Sequence, residues 1–266
     1  LFGTGGGFKS TLEIAGSLLT ATGSPLTLTG EFLYIHSGGQ LKATSTTEPV
    51  IGLSGGAHSA TRLANLDAAL LEASTPLLRL TNGGSLTTTQ DTLRLAQQAT
   101  VKVNGNPVIL LDGSTLTLSR GALASVTGGS TLTATGGNGA LVLMKNGSTL
   151  NIGNQLSPGR DTLLILSGAS TVSLKFLVKF EGALLNTINV WNTLAPTTFI
   201  SGIPIRIEGG MTSNNTFNIG SNPISGLNSS GNRIFINGTA LPNNATTGVT
   251  GSLILVSGTR STVKIQ

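Results

Sequence analysis

The order of apolar and polar positions along this chain repeats as one short phrase. A strand of alternating apolar residues leads into a small polar turn, and a shorter Ser/Thr-rich strand follows. The phrase reads Pro76-Leu-Leu-Arg-Leu-Thr-Asn-Gly-Gly-Ser-Leu-Thr-Thr88, then Asp91–Val103, then Pro107-Val-Ile-Leu-Leu-Asp-Gly-Ser-Thr-Leu-Thr-Leu118. It continues through Gly121–Ala134, Gly139–Ile152 and Asp161–Leu174 and returns at Gly251–Ile265. The apolar residues of the second strand, Leu86, Val101, Leu116, Leu132, Leu150 and Val172, are spaced 15, 15, 16, 18 and 22 residues apart. Such a unit is too small to bury an apolar face alone, so the units must stack on one another. The pattern predicts an all-β chain, a parallel β-helix or β-solenoid forming a single elongated domain.

Within a unit, Leu80 and Leu86, Leu95 and Val101, Leu110 and Leu116, Val126 and Leu132, and Leu166 and Val172 are each six residues apart. Two inward side chains thus flank a sharp turn, since side chains alternate faces along a strand. The turn residues, such as Asn82-Gly83-Gly84 and Asn146-Gly147-Ser148, are of the types that tolerate positive φ. Repetition at a near-fixed period favours parallel stacking of copies over isolated hairpins. Whether one unit or two complete a coil is open at this point.

Along residues 1–266 the regularity varies. Residues 1–60 read as opening coils, in which Ile35 to Leu41 repeats the six-residue step, and 61–175 as the regular array. Within it, Arg62–Ser74 has Leu63, Leu66, Ala69 and Leu70 at helical spacing, readable as a short helix or as another Ala-rich strand. Residues 176–266 have longer turns and more Asn, giving a less regular C-terminal third.

Composition narrows the class. Only 9% of residues are charged and 4% aromatic, while Gly numbers 37 and Ser plus Thr 65 of 266. An ordinary globular domain is about 25% charged; a narrow aliphatic core under a coat of small polar residues explains the difference. There is no cysteine, which excludes disulfides and thiolate chemistry. Runs such as Leu163-Leu-Ile-Leu166 are far shorter than the roughly 20 residues of a membrane helix. The net charge of +5 raises nucleic acid as a partner, but the fifteen basic residues are scattered and aromatics are scarce, so no nucleic-acid partner is expected. Arg79 and Arg94 occupy equivalent positions in adjacent units and are expected to stack.

The positions before each inward apolar residue carry Ser85, Thr100, Thr115, Thr131, Thr149 and Thr171, an outward hydroxyl ladder. β-Branched Thr suits an exposed strand. A flat Thr-x-Thr face would also order water or bind ice, although Lys102, Asn151 and Lys264 interrupt the second column. Enzymatic hydrolysis or lysis needs converging carboxylates. The ten acids form no pair or short motif, and Asp91 and Asp112 fall at different points of their units. No catalytic residue, metal site or cofactor is assigned, and His36 and His58 read as isolated turn positions. Trp191 is a candidate sugar-stacking platform among the 176–250 loops, beside the alternative that it is buried.

The repeats Gly113-Ser-Thr-Leu-Thr-Leu118, Gly129-Ser-Thr-Leu-Thr-Ala134 and Asn146-Gly-Ser-Thr-Leu-Asn-Ile152 resemble the passenger regions of bacterial secreted adhesins, the autotransporter and filamentous-haemagglutinin-like β-helices. The resemblance implies a right-handed parallel β-helix, an extracellular or cell-surface location, and a structural or adhesive role. A solenoid end exposes strand edges and core unless it is capped. Leu1, Phe2, Phe8, Val263 and Ile265 are therefore expected to form sticky ends through which a non-enzymatic homopolymer assembles head to tail. Surface glycans are a second candidate partner.

Overall fold

The computed structural model describes residues 10–154, 156 and 161–191. Beyond these it describes the strands at 205–208, 215–219, 224–225, 233–236, 239–240, 254–257 and 261–265. Among the described residues there is no helix. The chain winds through four strands per coil, and each strand joins one of four parallel sheets that run the length of the stack. In the first complete coil these strands are Glu31–His36 (sheet I), Gln40–Ala43 (sheet II), Ile51–Ser54 (sheet III) and Ala57–Ala60 (sheet IV). Four further circuits follow, five in all, ending at Thr187–Val190 in sheet IV. An antiparallel pair, Arg233–Ile236 with Thr239–Ala240, is the exception to the parallel order.

Two sequence units therefore make one coil. In sheet I, Leu33 stands beside Ala64, Ala64 beside Leu93, Leu93 beside Ala124 and Ala124 beside Leu164. Equivalent residues are 31, 29, 31 and then 40 apart as corner insertions lengthen the later coil. Arg62–Asp67 and Leu70–Ala73 are strands of sheets I and II, so the helical spacing there is accidental. Both strands instead pair with a strand on each flanking coil.

The interior is a column of aliphatic side chains. Ile35, Leu66, Leu95, Val126 and Leu166 point inward from sheet I, and Leu86, Leu116, Leu150 and Ile188 from sheet IV, all fully buried. Truncating one of them to Ala typically costs about 2–5 kcal/mol. His58 occupies the same inward position as Leu86 and is 2% exposed, with its Nε2 2.7 Å from the Gly55 carbonyl.

Two corners of each coil, I to II and III to IV, are tight. A six-residue step between inward side chains has two consecutive left-handed residues, as at Asn82–Gly83, Gln97–Gln98 and Asn146–Gly147. At Ala68 and at Gly113, each the one left-handed residue of its corner, the step is five; it is also five across Gly55–Gly56, where both are left-handed. This corrects one sequence assignment. The inward partner of Leu116 is Leu111, fully buried and in register with Leu80, whereas Leu110 sits beside Arg79 and is half-exposed.

Candidate functional site

The hydroxyl ladder divides between two faces. Ser85, Thr115 and Thr149 are consecutive rungs of sheet IV, and Thr187 is the next. Thr100, Thr131 and Thr171 are rungs of sheet II. The second column divides likewise. Sheet IV carries Ser59, Thr87, Thr117, Asn151 and Asn189, while Lys102, Thr133 and Ser173 belong to sheet II. The lysines that interrupt the sequence pattern thus lie off sheet IV, whose outward positions from Ala57 to Asn189 are uncharged. Amides tie the second column together: Asn151 donates to Thr117 Oγ1 at 3.3 Å and Asn189 to Asn151 Oδ1 at 2.8 Å.

Arg79 and Arg94 do not stack. Arg79 stands between Gly52 and Leu110 in sheet III, and Arg94 between Asn65 and Ser125 in sheet I. Adjacent units in the sequence lie on opposite halves of one coil, so their equivalent residues face different ways. His36 and His58 are likewise on sheets I and IV; His36 stacks on Tyr34 with ring centroids 4.8 Å apart, and His58 is inside the core.

The corner from sheet IV to sheet I leads into a polar network that spans several coils. Arg62 pairs with Glu31 at 2.9 Å and also donates to Gln90, while Asn65 bridges Glu31 and Arg94. Asp91 and Asp161 occupy this corner two coils apart, with Gly121 between them. Asp91 Oδ1 accepts the Ala122 N–H at 2.7 Å, and Asp161 Oδ1 the Gly121 N–H at 2.6 Å. Burial pushes the Asp91 carboxyl above its ordinary range; the Ala122 N–H, Arg62 and Arg94 offset part of that rise, and Asp161 adds to it. The sequence signal for this pair is the repeated Asp-Thr-Leu of Asp91–Leu93 and Asp161–Leu163. These carboxylates accept backbone N–H groups of the coil between them and so act as corner fasteners. Among the described residues no three His, Asp or Glu side chains converge as for a metal ion.

A second buried feature follows the turns from Gly113 onward. The serine of the recurring Gly-Ser-Thr is internal, as is that of Ala169-Ser170-Thr171: Ser114, Ser130, Ser148 and Ser170 are at most 3% exposed. Ser130 Oγ donates to the Thr127 carbonyl at 2.6 Å and Ser148 Oγ to the Lys145 carbonyl at 2.7 Å. Asn186 takes the same place one coil on and accepts the Ser148 N–H at 2.9 Å.

On sheet III, Glu181 bridges Lys145 at 2.8 Å and Lys179 at 2.5 Å. Burial pushes this carboxyl up, but the two ammonium groups outweigh it and hold the acid below its ordinary range.

Trp191 is half-buried; its backbone N–H donates to the Ile152 carbonyl at 2.8 Å. Most of the 176–250 loops around it lie outside the described residues. So do Leu1, Phe2 and Phe8. The backbones of Val263 and Ile265 lie in the last strand of sheet II, beside Phe217 and Ile219. No helix of the described residues is long and apolar enough to cross a membrane.

This architecture is that of a parallel β-solenoid with four strands per coil. In comparisons with known proteins, no family model matches the chain, and neither does any curated protein or solved structure.

Proposed function

We propose that this protein is a non-enzymatic structural rod, a β-solenoid subunit of an extracellular surface filament or stalk that extends end to end and makes adhesive contacts, as the resemblance to secreted bacterial adhesins implies. One observation carries the reading. At the N-terminal side of the described stack, strands Thr11–Ile14 and Leu19–Thr22 each have a strand neighbour on one flank alone. On the same side Leu12 and Leu18 are 37% and 38% exposed. An edge of this kind offers a row of backbone donors and acceptors beside apolar surface, which one more coil satisfies. A contact between unlike ends of identical rods does not close and therefore propagates.

Negative-stain electron microscopy across a concentration series tests this. Uniform filaments that lengthen with concentration support it; discrete short rods at every concentration refute it.

The uncharged face of sheet IV favours a second reading, a surface that orders water. Its hydroxyl and amide columns repeat about every 4.8 Å along the stack. Absence of thermal hysteresis at millimolar protein removes that reading.

A further inference from the structure

The outward face of sheet II carries a column of alternating charge. Glu13 stands beside Lys42, Lys42 beside Glu72, and Glu72 beside Lys102. The column then turns neutral at Thr133 and Ser173. Glu13 and Lys102 are exposed, and Lys42 and Glu72 half-exposed. Among the described residues the ion pairs within 4.0 Å are Glu31–Arg62, Lys145–Glu181 and Lys179–Glu181, so none joins two members of this column. Rungs of a parallel sheet are about 4.8 Å apart, so the four charges span about 14 Å along the rod.

An alternating column of even length is complementary to itself in one orientation. Rotation by 180° about an axis parallel to the strands turns the face towards a copy of itself and reverses the order of coils. With that axis between Lys42 and Glu72, Glu13 meets the partner's Lys102 and Lys42 meets the partner's Glu72. A two-fold axis along the rod would instead set like charge against like. We propose that sheet II is an isologous contact by which a second copy of this chain docks side by side and antiparallel. The neighbouring column, Thr11, Gln40, Leu70 and Thr100, is uncharged and opposes no part of this match. A hollow of about 270 Å³ lined by Gln40, Leu70, Thr100 and the corner residues Gly38 and Gln98 borders the strip and leaves room for seated side chains.

Four strands of four residues cover about 250 Å² per partner, well under the roughly 800 Å² of a stable complex. The contact is therefore weak, electrostatic and salt-sensitive. It does not depend on end-to-end growth, which uses the coil edges rather than the sheet face.

Sedimentation velocity of the full chain at low ionic strength is the test, with three variants. Lys42→Glu/Lys102→Glu makes the column all acidic, and Glu13→Lys/Glu72→Lys makes it all basic. Each alone is expected to lose lateral association, and an equimolar mixture to restore it as a one-to-one pair. The exchange Lys42→Glu/Glu72→Lys places like charges side by side within the chain but preserves the antiparallel match, so it is expected to associate as the natural sequence does. Salt at about 0.5 M should weaken the natural association at least about tenfold. Loss of association in the exchange variant would show that the column acts within one chain and would overturn the proposal. A natural protein without lateral association at about 1 mM and low salt would overturn it too. If the single-sign variants fail to fold by circular dichroism, the exchange variant and the salt series still decide. End-to-end growth would persist in every variant and is thereby distinguishable.

Discussion

Asp91 and Asp161 hold one peptide corner between them. Asp161 accepts the N–H of Gly121 and Asp91 that of Ala122, so two carboxylates from the coils above and below fasten the coil that separates them. A buried N–H left without an acceptor costs about 1–3 kcal/mol, and here the two carboxylates supply the acceptors.

The raised pKa of the Asp91 carboxyl gives a sign to its contribution. The folded chain holds this proton more tightly than the unfolded chain. The contribution is present below the ordinary aspartate value and is lost as pH rises through the higher folded value. Asp91→Asn keeps the acceptor for Ala122 and removes the buried charge. It is expected to raise the thermal midpoint at neutral pH, with the gain shrinking as pH falls into the aspartate range. An equal or lower midpoint at pH 7 would refute the assignment.

Glu181 behaves in the opposite sense. Its stabilisation is present above the ordinary glutamate value and is lost as pH falls through the lower folded value. Glu181→Gln should lower stability at neutral pH and leave it unchanged in strong acid, as denaturant titrations at the two pH values would reveal.

Gly121 has φ +96°, and a methyl group there would run into the Asp91 carboxylate. Gly121→Ala should destabilise by about 1–3 kcal/mol from backbone strain and overpacking together. Gly30, with nothing within 4 Å of an added Cβ, is the control whose Ala variant should unfold near the natural midpoint.

The corrected corner predicts an asymmetry between adjacent leucines. Leu111→Ala empties a core position and should cost about 2–5 kcal/mol, whereas Leu110→Ala should cost less than about 1 kcal/mol. Similar losses in chemical denaturation would restore the six-residue reading.

Asn186 accepts the buried Ser148 N–H and donates to the Glu181 and Leu184 carbonyls at 3.2 and 3.3 Å. Asn186→Ala should cost about 1–3 kcal/mol and speed hydrogen exchange at the Ser148 amide. Asn186→Ser, which copies the residue of the preceding coil, should recover part of both.

The sequence by itself determined the solenoid. Alternation of side chains is a property of the strand, and units that cannot bury their own apolar face have to stack, so Leu86, Val101 and Leu116 announce coils without any coordinates. It also marked the tight corners, because Asn and Gly report the left-handed backbone locally. The tertiary structure decided what depends on the angle between successive strands. Two similar phrases turn out to be the two halves of one coil. This divides Thr100 from Thr115, sends Arg79 and Arg94 to different faces, and lines up Glu13, Lys42, Glu72 and Lys102. It also decided Leu111 over Leu110, since the backbone path of each corner sets which side chain points inward. Burial of the serine in Gly-Ser-Thr, and the meeting of Asp91 with Asp161 across an intervening coil, follow from stacking in space. The repeated Asp-Thr-Leu and Gly-Ser-Thr mark the residues, and the stacking sets their partners.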